Sequence, residues 1–320
     1  MGGYAYMKYQ DKTSDIINNI EKAIVGKREV IKLSLISLLA QGHLLLEDVP
    51  GVGKTTLAKA IAQTIDCGFT RMQFTPDTLP SDVIGLSIYN SKTGNFEYSQ
   101  GAIMNNIILV DEINRTSPKT QSSLLEAMEE RQVTVDGVTY PLPSPFMVIA
   151  TQNPIDYLGT YNLPEAQLDR FMMKISIGYP DRSDEVTMAS RYIDNNLHSK
   201  LEALVDGETI VKMQEEVKQI KVNQDIINYT SKLINETRNN NKISLGASPR
   251  ATLAILRASQ ALAYVKGRGF CIPDDVINLV KPVISHRIIL SPEAKLSNNK
   301  TEDVLENIIA KVPVPVFDKY

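Results

Sequence analysis

The segment that most constrains this chain is Glu47-Asp-Val-Pro-Gly-Val-Gly-Lys-Thr-Thr56. It lies between a compact apolar run, His43–Leu46, and a periodic stretch, Thr55–Ile65, in which Leu57, Ala58, Ile61, Ala62 and Ile65 share one helical face. A strand that enters a glycine-bearing turn and leaves it as a helix is the frame of a phosphate-binding loop. Glycines let backbone N–H groups turn inward around phosphate oxygens, and the helix N-terminus adds partial positive charge. The loop would use Asp48, Val49, Pro50, Gly51, Val52, Gly53, Lys54, Thr55 and Thr56. Lys54 would reach the β- and γ-phosphates, and the Thr55 hydroxyl would ligate Mg²⁺. The general pattern has glycine where this chain has Asp48, a residue that tolerates unusual backbone angles better than most. Taken alone, the segment also suits a Gly-rich turn without function.

The rest of the first half alternates short apolar strands with amphipathic helices. Phe69–Phe74 and Ile107–Val110 read as strands, the second apolar at every position and so covered on both faces. Ser117 with Pro118 opens a helix that buries Leu124, Leu125 and Met128. Asp136-Gly137 between alternating residues predicts a hairpin, and Phe146–Ala150 a further strand. This alternation implies an α/β fold with a parallel sheet. After Tyr179-Pro180-Asp181 the patterns turn helical, with helices opened by Ser248-Pro249 and by Pro273-Asp274-Asp275 and a polar loop at Asn239–Asn241. The division predicted is a leader over 1–22, an α/β core over 23–180 and an all-α domain over 181–320.

Two further strand ends carry chemistry. In Ile107-Ile-Leu-Val-Asp111-Glu112 an acidic pair follows a buried strand, where open α/β sheets bind ligands. Asp111 would hold Mg²⁺ through water and Glu112 would polarise an attacking water. In Ala150-Thr-Gln-Asn153-Pro154 the amide of Asn153 can bridge that water to the γ-phosphate, or belong to an ordinary Asn-Pro turn. Arg170, in Leu163–Phe171, and Arg250, in Gly246–Arg250, can each stabilise a transferring phosphoryl group or serve as a surface ion-pair partner.

Composition narrows the classes. The net charge of −3 argues against bulk nucleic-acid binding. Cys67 and Cys271 lie far apart without metal-like spacing and read as free thiols, and His43, His198 and His286 form no ligand pair. No apolar run approaches the ~18 residues of a membrane span. The polar start lacks the charged and apolar regions of a signal peptide, Met7 is an alternative start, and cytoplasmic residence follows by default.

Together these pieces resemble the AAA+ superfamily and, within it, the MoxR family. The resemblance is carried by Asp111–Gly137, Asn153-Pro154, Gly159-Thr160, Leu163–Phe171, Gly246–Ala251, Gly267-Arg268 and His286-Arg287, and runs from about Ile24 to Ile289. Asp48 also looks typical of that family. The resemblance implies an ATPase core followed by a helical lid, with ATP and Mg²⁺ as cofactors. Val25 and Gly26 would contact adenine, Asn153 would be sensor 1, and Arg170 the arginine finger acting on a neighbouring subunit's ATP. Arg250 would be sensor 2, reaching from the lid to the γ-phosphate. A finger working in trans implies a homo-oligomeric ring, usually a hexamer. Residues 75–101, with Pro76, Pro80, Gly85, Gly94 and Gly101, would be the helix-2 insert, built as a loop or hairpin. Gly101-Ala-Ile-Met104 departs from the family's usual Gly-Pro-Ile-Phe. Family members act as chaperones that mature or activate partners, commonly with a von Willebrand factor A domain protein; the client is not implied.

The alternatives are a magnesium-chelatase-like metal-insertion motor and a nucleotide-gated scaffold with little hydrolysis, against which Glu112 speaks. A DNA remodeller is disfavoured by charge. A GTPase is disfavoured because Asn241-Lys-Ile-Ser244 lacks the Asp of a guanine-reading element. Tyr157-Leu-Gly159 has the letters of a pore loop but lies in the sensor-1 connection, so threading of a polypeptide is not expected.

Overall fold

The computed structural model describes residues 7–153, 161–193 and 201–315. Helices α1 (Lys12–Glu21) and α2 (Arg28–Leu39) lead into β1 (Leu44–Glu47), α3 (Lys54–Thr64) and β2 (Phe69–Gln73). A short helix, α4 (Pro80–Ile84), and the hairpin β3 (Gly85–Asn90)/β4 (Asn95–Gln100) follow. Next come β5 (Ile107–Asp111), α5 (Pro118–Glu130), the hairpin β6 (Gln132–Val135)/β7 (Val138–Pro141), β8 (Met147–Gln152), α6 (Glu165–Leu168) and β9 (Met173–Ile175).

Five strands form one sheet in the order β2-β5-β8-β1-β9, every neighbouring pair parallel. Their side chains alternate between two buried clusters. Leu44, Leu46, Ile107, Leu109, Met147 and Ile149 enter one, while Leu45, Ile108, Val110, Val148 and Ala150 enter the other. Both faces are therefore covered, which is why these strands read as continuous apolar runs. Register aligns the strand tips: Glu47 lies opposite Gln152, and Gln73 opposite Asp111. The loops that leave these carboxyl ends form one row.

Local signals hold where they are chemical. Ser117 accepts a hydrogen bond from the Thr120 N–H with Pro118 in the first turn of α5. Asp136 and Gly137, at φ of 50° and 79°, make the two-residue turn of β6/β7. The insert segment holds the expected hairpin, plus the single turn of α4. Tyr98 of β4 stacks on Tyr140 of β7, ring centroids 4.1 Å apart, so the two hairpins brace each other. The leader expectation fails over 12–21. These residues form α1, and Ile16, Ile17 and Ile20 reach the core from one face of it.

Beyond residue 180 the chain is helical: α7 (Arg182–Ile193), α8 (Gly207–Lys218), α9 (Gln224–Arg238), α10 (Pro249–Val265), α11 (Pro273–Ile284), α12 (Pro292–Leu296) and α13 (Thr301–Lys311). A small antiparallel pair, β10 (Ile243–Leu245) and β11 (Ile289–Leu290), interrupts it. One hydrophobic cluster runs from α1, α2 and α3 into α8, α9, α10 and α11, so the change of character near residue 180 is not a break in packing. Arg268 ties the fully buried Asp275 at the start of α11 with two hydrogen bonds, of 2.8 and 2.5 Å.

The described histidines are structural. His43 Nδ1 accepts from the Val148 N–H at 3.0 Å, and its Nε2 lies 3.1 Å from the Met128 carbonyl. Burial lowers its pKa to about 4, which keeps the ring neutral. Cys67 and Cys271 are free thiols, pushed by burial up to about 11 and about 12. No helix among the described residues is long and apolar enough to cross a membrane.

Candidate nucleotide site

At the carboxyl end of β1 the chain turns through Gly51 and Gly53, at φ of 87° and 98°, and enters α3 at Lys54. A side chain at either glycine would meet nothing within 4 Å, so it is the left-handed backbone that demands glycine there. Lys54 Nζ donates to the Asp48 carbonyl at 2.9 Å, folded back across the loop.

Asp48 does not take an unusual backbone angle; its role is different. Its carboxylate accepts from the Ser176 hydroxyl at 2.7 Å and from the Ile177 and Gly178 N–H groups at 2.6 and 3.0 Å. The base of the loop is thereby fastened to the chain leaving β9. Asp48→Gly, which restores the general loop pattern, should therefore destabilise the protein by about 1–3 kcal/mol, because it leaves the buried Ile177 N–H unpaired and frees the Ser176 and Gly178 donors. Chemical denaturation of the purified variant checks this; an unchanged midpoint would show that the carboxylate fastens nothing.

The loop faces a cleft of about 240 Å³ lined by Pro50, Gly51, Gly53, Lys54, Thr55, Thr56, Arg71, Gln73, Asp111, Glu112, Thr151 and Asn153. Lys54, Thr55, Asp111, Glu112 and Asn153 thus line one cleft, while Asp48, Val49 and Val52 lie outside its lining. The Thr151 hydroxyl accepts from the Glu112 N–H at 3.0 Å and donates to Asp111 Oδ1 at 3.2 Å. Arg71 Nε donates to Asp111 Oδ2 at 2.7 Å. Gln73 Nε2 donates to Glu112 Oε2 at 2.9 Å, and Arg115 pairs with the same oxygen at 3.2 Å. Glu112 itself sits at φ 57°, a strained position for a residue with a side chain, held by that Thr151 contact. Thr55 and Asp111 offer hard oxygen donors facing one open cleft, which suits Mg²⁺, an ion that keeps several waters and takes one or two protein ligands.

Sequence reasoning missed Arg71, Gln73 and Thr151. Each sits within a strand, and only the β2–β5–β8 register carries them to the acidic pair.

The two expected arginines lie elsewhere. Arg170 and Arg250 line a second cleft, with Glu129, Arg131, Asp169, Arg257 and Arg287, that shares no residue with the first. Glu129, near the C-terminal end of α5, pairs with both: its Oε2 lies 2.8 Å from Arg170 Nε, and its Oε1 accepts from Arg250. Arg250, expected to reach from the lid to the γ-phosphate, thus lies outside the cleft that holds Lys54 of the same copy. Its helix, α10, is anchored beside the Arg170 turn, because the Ser248 hydroxyl that caps it donates to Asp169 at 2.7 Å. Val25 and Gly26 also stay outside the first cleft. Gly26, at φ 71°, is covered by α7, where a side chain would meet Asp184 Oδ2 at 1.7 Å. Lys27 Nζ donates to the Tyr179 carbonyl at 2.7 Å and Arg191 to that of Lys22 at 2.7 Å, so α7 and the linker close over this turn. Tyr157 and the Gly159-Thr160 match, like His198, lie outside the described residues.

This geometry agrees with the comparisons. Residues 43–173 match the profile of the ATPase family associated with various cellular activities (AAA), and residues 235–308 that of the AAA lid domain. YeaC of Bacillus subtilis (strain 168) is 48% identical over 97% of this chain and 98% of its own. The chaperone MoxR1 of Mycobacterium tuberculosis is 39% identical over 93% of this chain and 81% of its own. A crystal structure from Cytophaga hutchinsonii, described as that of a candidate ATPase, superposes with a TM-score of 0.90 at 38% identity, covering 96% of each chain.

Proposed function

This chain belongs to the MoxR family of AAA+ ATPases, and on that premise we propose that it works as a ring, with ATP hydrolysis driving chaperone-like maturation or activation of a partner protein. It binds nucleotide and hydrolyses ATP, as its ATPase and lid domains require. The ring is a hexamer in this reading, and the partner a von Willebrand factor A domain protein. Support for the chaperone role is the family, in which MoxR1 of M. tuberculosis is named a chaperone.

The observation that carries the ring is the separation of the two clefts. Lys54, Asp111, Glu112 and Asn153 share one, and Arg170 and Arg250 share the other. The first cleft has Lys54 and Arg71 but neither of the two arginines expected at the transferring phosphoryl, so in this reading the site is incomplete within one copy. A neighbour that presents its arginine cleft to the nucleotide completes it.

Within such a site Lys54 leaves the Asp48 carbonyl for the β- and γ-phosphates. Thr55 and Asp111 would hold Mg²⁺, which when bound spreads the charge of the phosphate oxygens. Glu112 accepts the proton of the attacking water, with Asn153 orienting that water. Arg170 and Arg250 of the neighbour stabilise the charge on the transferred group. Gln73 and Arg115 hold the Glu112 carboxylate, and Glu129 holds both arginines.

The test is steady-state ATP hydrolysis across a range of protein concentrations, beside sedimentation in ATP. Specific activity that rises with concentration in step with assembly is expected. Constant specific activity from a monomer would overturn the ring.

A further inference from the structure

We propose that Asp169 and Arg287 are positioning residues that hold Arg170 and Arg250 together as one rigid face for a neighbouring copy's nucleotide. The inference rests on the shared-site reading above and assigns a task to two residues that neither contact the nucleotide cleft nor enter the chemistry.

Arg287 follows the C-terminal end of α11 and is buried, its side chain 2% exposed. Its Nε donates to Asp169 Oδ1 at 2.7 Å. One terminal nitrogen donates to the Asp169 and Phe171 carbonyls at 3.0 and 2.5 Å, the other to the Met172 carbonyl at 3.1 Å and to the Val283 carbonyl. The carbonyls of residues 169, 171 and 172 bracket Arg170. A single guanidinium from the lid thus grips the turn that carries the finger.

The second carboxylate oxygen of Asp169 continues the chain of contacts. It accepts from the Ser248 hydroxyl at 2.7 Å, and the same hydroxyl accepts from the Arg250 N–H at 3.1 Å. Arg287, Asp169, Ser248 and the Arg250 backbone therefore form one continuous hydrogen-bonded path between the backbone segments that carry the two cationic side chains. Desolvation offsets most of what a buried ion pair adds to stability, whereas a planar fork fixes direction and distance. Fixed direction is what a transferring phosphoryl needs, since a displacement of about 1 Å can cost ~10²-fold in rate.

The experiment uses the full chain with Asp169→Asn, which is isosteric, and Arg287→Lys, which keeps the charge and loses the fork. Expected for each is a kcat lowered about 10–100-fold, with affinity for a fluorescent ATP analogue within about twofold of wild type. Mixing either variant with Glu112→Gln subunits should restore turnover, because the Glu112→Gln subunit supplies a well-placed finger to an intact base. If Arg287→Lys does not fold, Asp169→Asn decides alone. Wild-type kcat in Asp169→Asn overturns the inference. So does a loss of analogue affinity with no recovery on mixing, the result a merely structural role gives. An Arg170→Ala control that also fails to recover on mixing removes the shared-site reading itself, and this inference with it.

Discussion

Glu112→Gln is expected to lower steady-state ATP turnover by about 10²–10⁴-fold, the span of a positioned general base, while ATP binding stays near wild type. The substitution keeps the shape of the side chain and leaves an amide oxygen for Gln73 to donate to. The backbone N–H contact to Thr151, which holds the left-handed turn, does not involve the side chain. Folding should therefore be spared and only the proton acceptor lost. Lys54, which would bind the phosphates, and Thr55, which would hold Mg²⁺, stand on another segment of the cleft wall. Phosphate release and titration with a fluorescent ATP analogue separate the two effects. Turnover within tenfold of wild type would remove Glu112 from the role of base.

Arg170→Ala should be comparably severe and should differ in kind. An arginine finger contributes about 10³–10⁵-fold in nucleotide hydrolases that use one. Here the side chain faces Glu129 in a cleft distinct from the nucleotide loop, so its loss leaves ATP affinity intact and disables the neighbour's site. Mixing is the decisive measurement. Subunits with Arg170→Ala retain Glu112, and subunits with Glu112→Gln retain Arg170. Activity should climb from near zero to a maximum around equal proportions and fall again. A flat response across all ratios would mean that the two residues serve the same copy.

The fold was legible wherever a local rule sufficed. Continuous apolar runs marked β5 and β8 because both faces are covered, and Ser117-Pro118, Ser248-Pro249 and Asp136-Gly137 marked their helices and turn by side-chain chemistry alone. The nucleotide loop and the Asp111-Glu112 pair were legible for the same reason, since their residues are close in sequence. Gln73 and Arg71 were not, because their partners stand about forty residues away and meet them only through strand register. Asp48 was recognised as a departure, but it acts by hydrogen-bonding the segment after β9 rather than by backbone tolerance. The arginines were found as residues, but which cleft they face was not legible, since the position of Arg250 depends on the anchorage of its helix to Asp169. Helix α1 was lost because its first residues are polar and its few isoleucines give a short signal.

The hydrophobic cluster that runs unbroken from α1 and α2 into α8, α9 and α10 sets a limit on how this machine can move. Swinging the lid wide would strip Leu35, Leu39, Ile210, Met213 and Ile255 of their cover, at about 25 cal/mol for each Å² laid bare. That cost favours small sliding steps between helices that stay in contact over a wide opening. In the ring proposed above, such steps would be short in any one copy and would add up as each is handed on to the next subunit through the arginines that Arg287 and Asp169 hold.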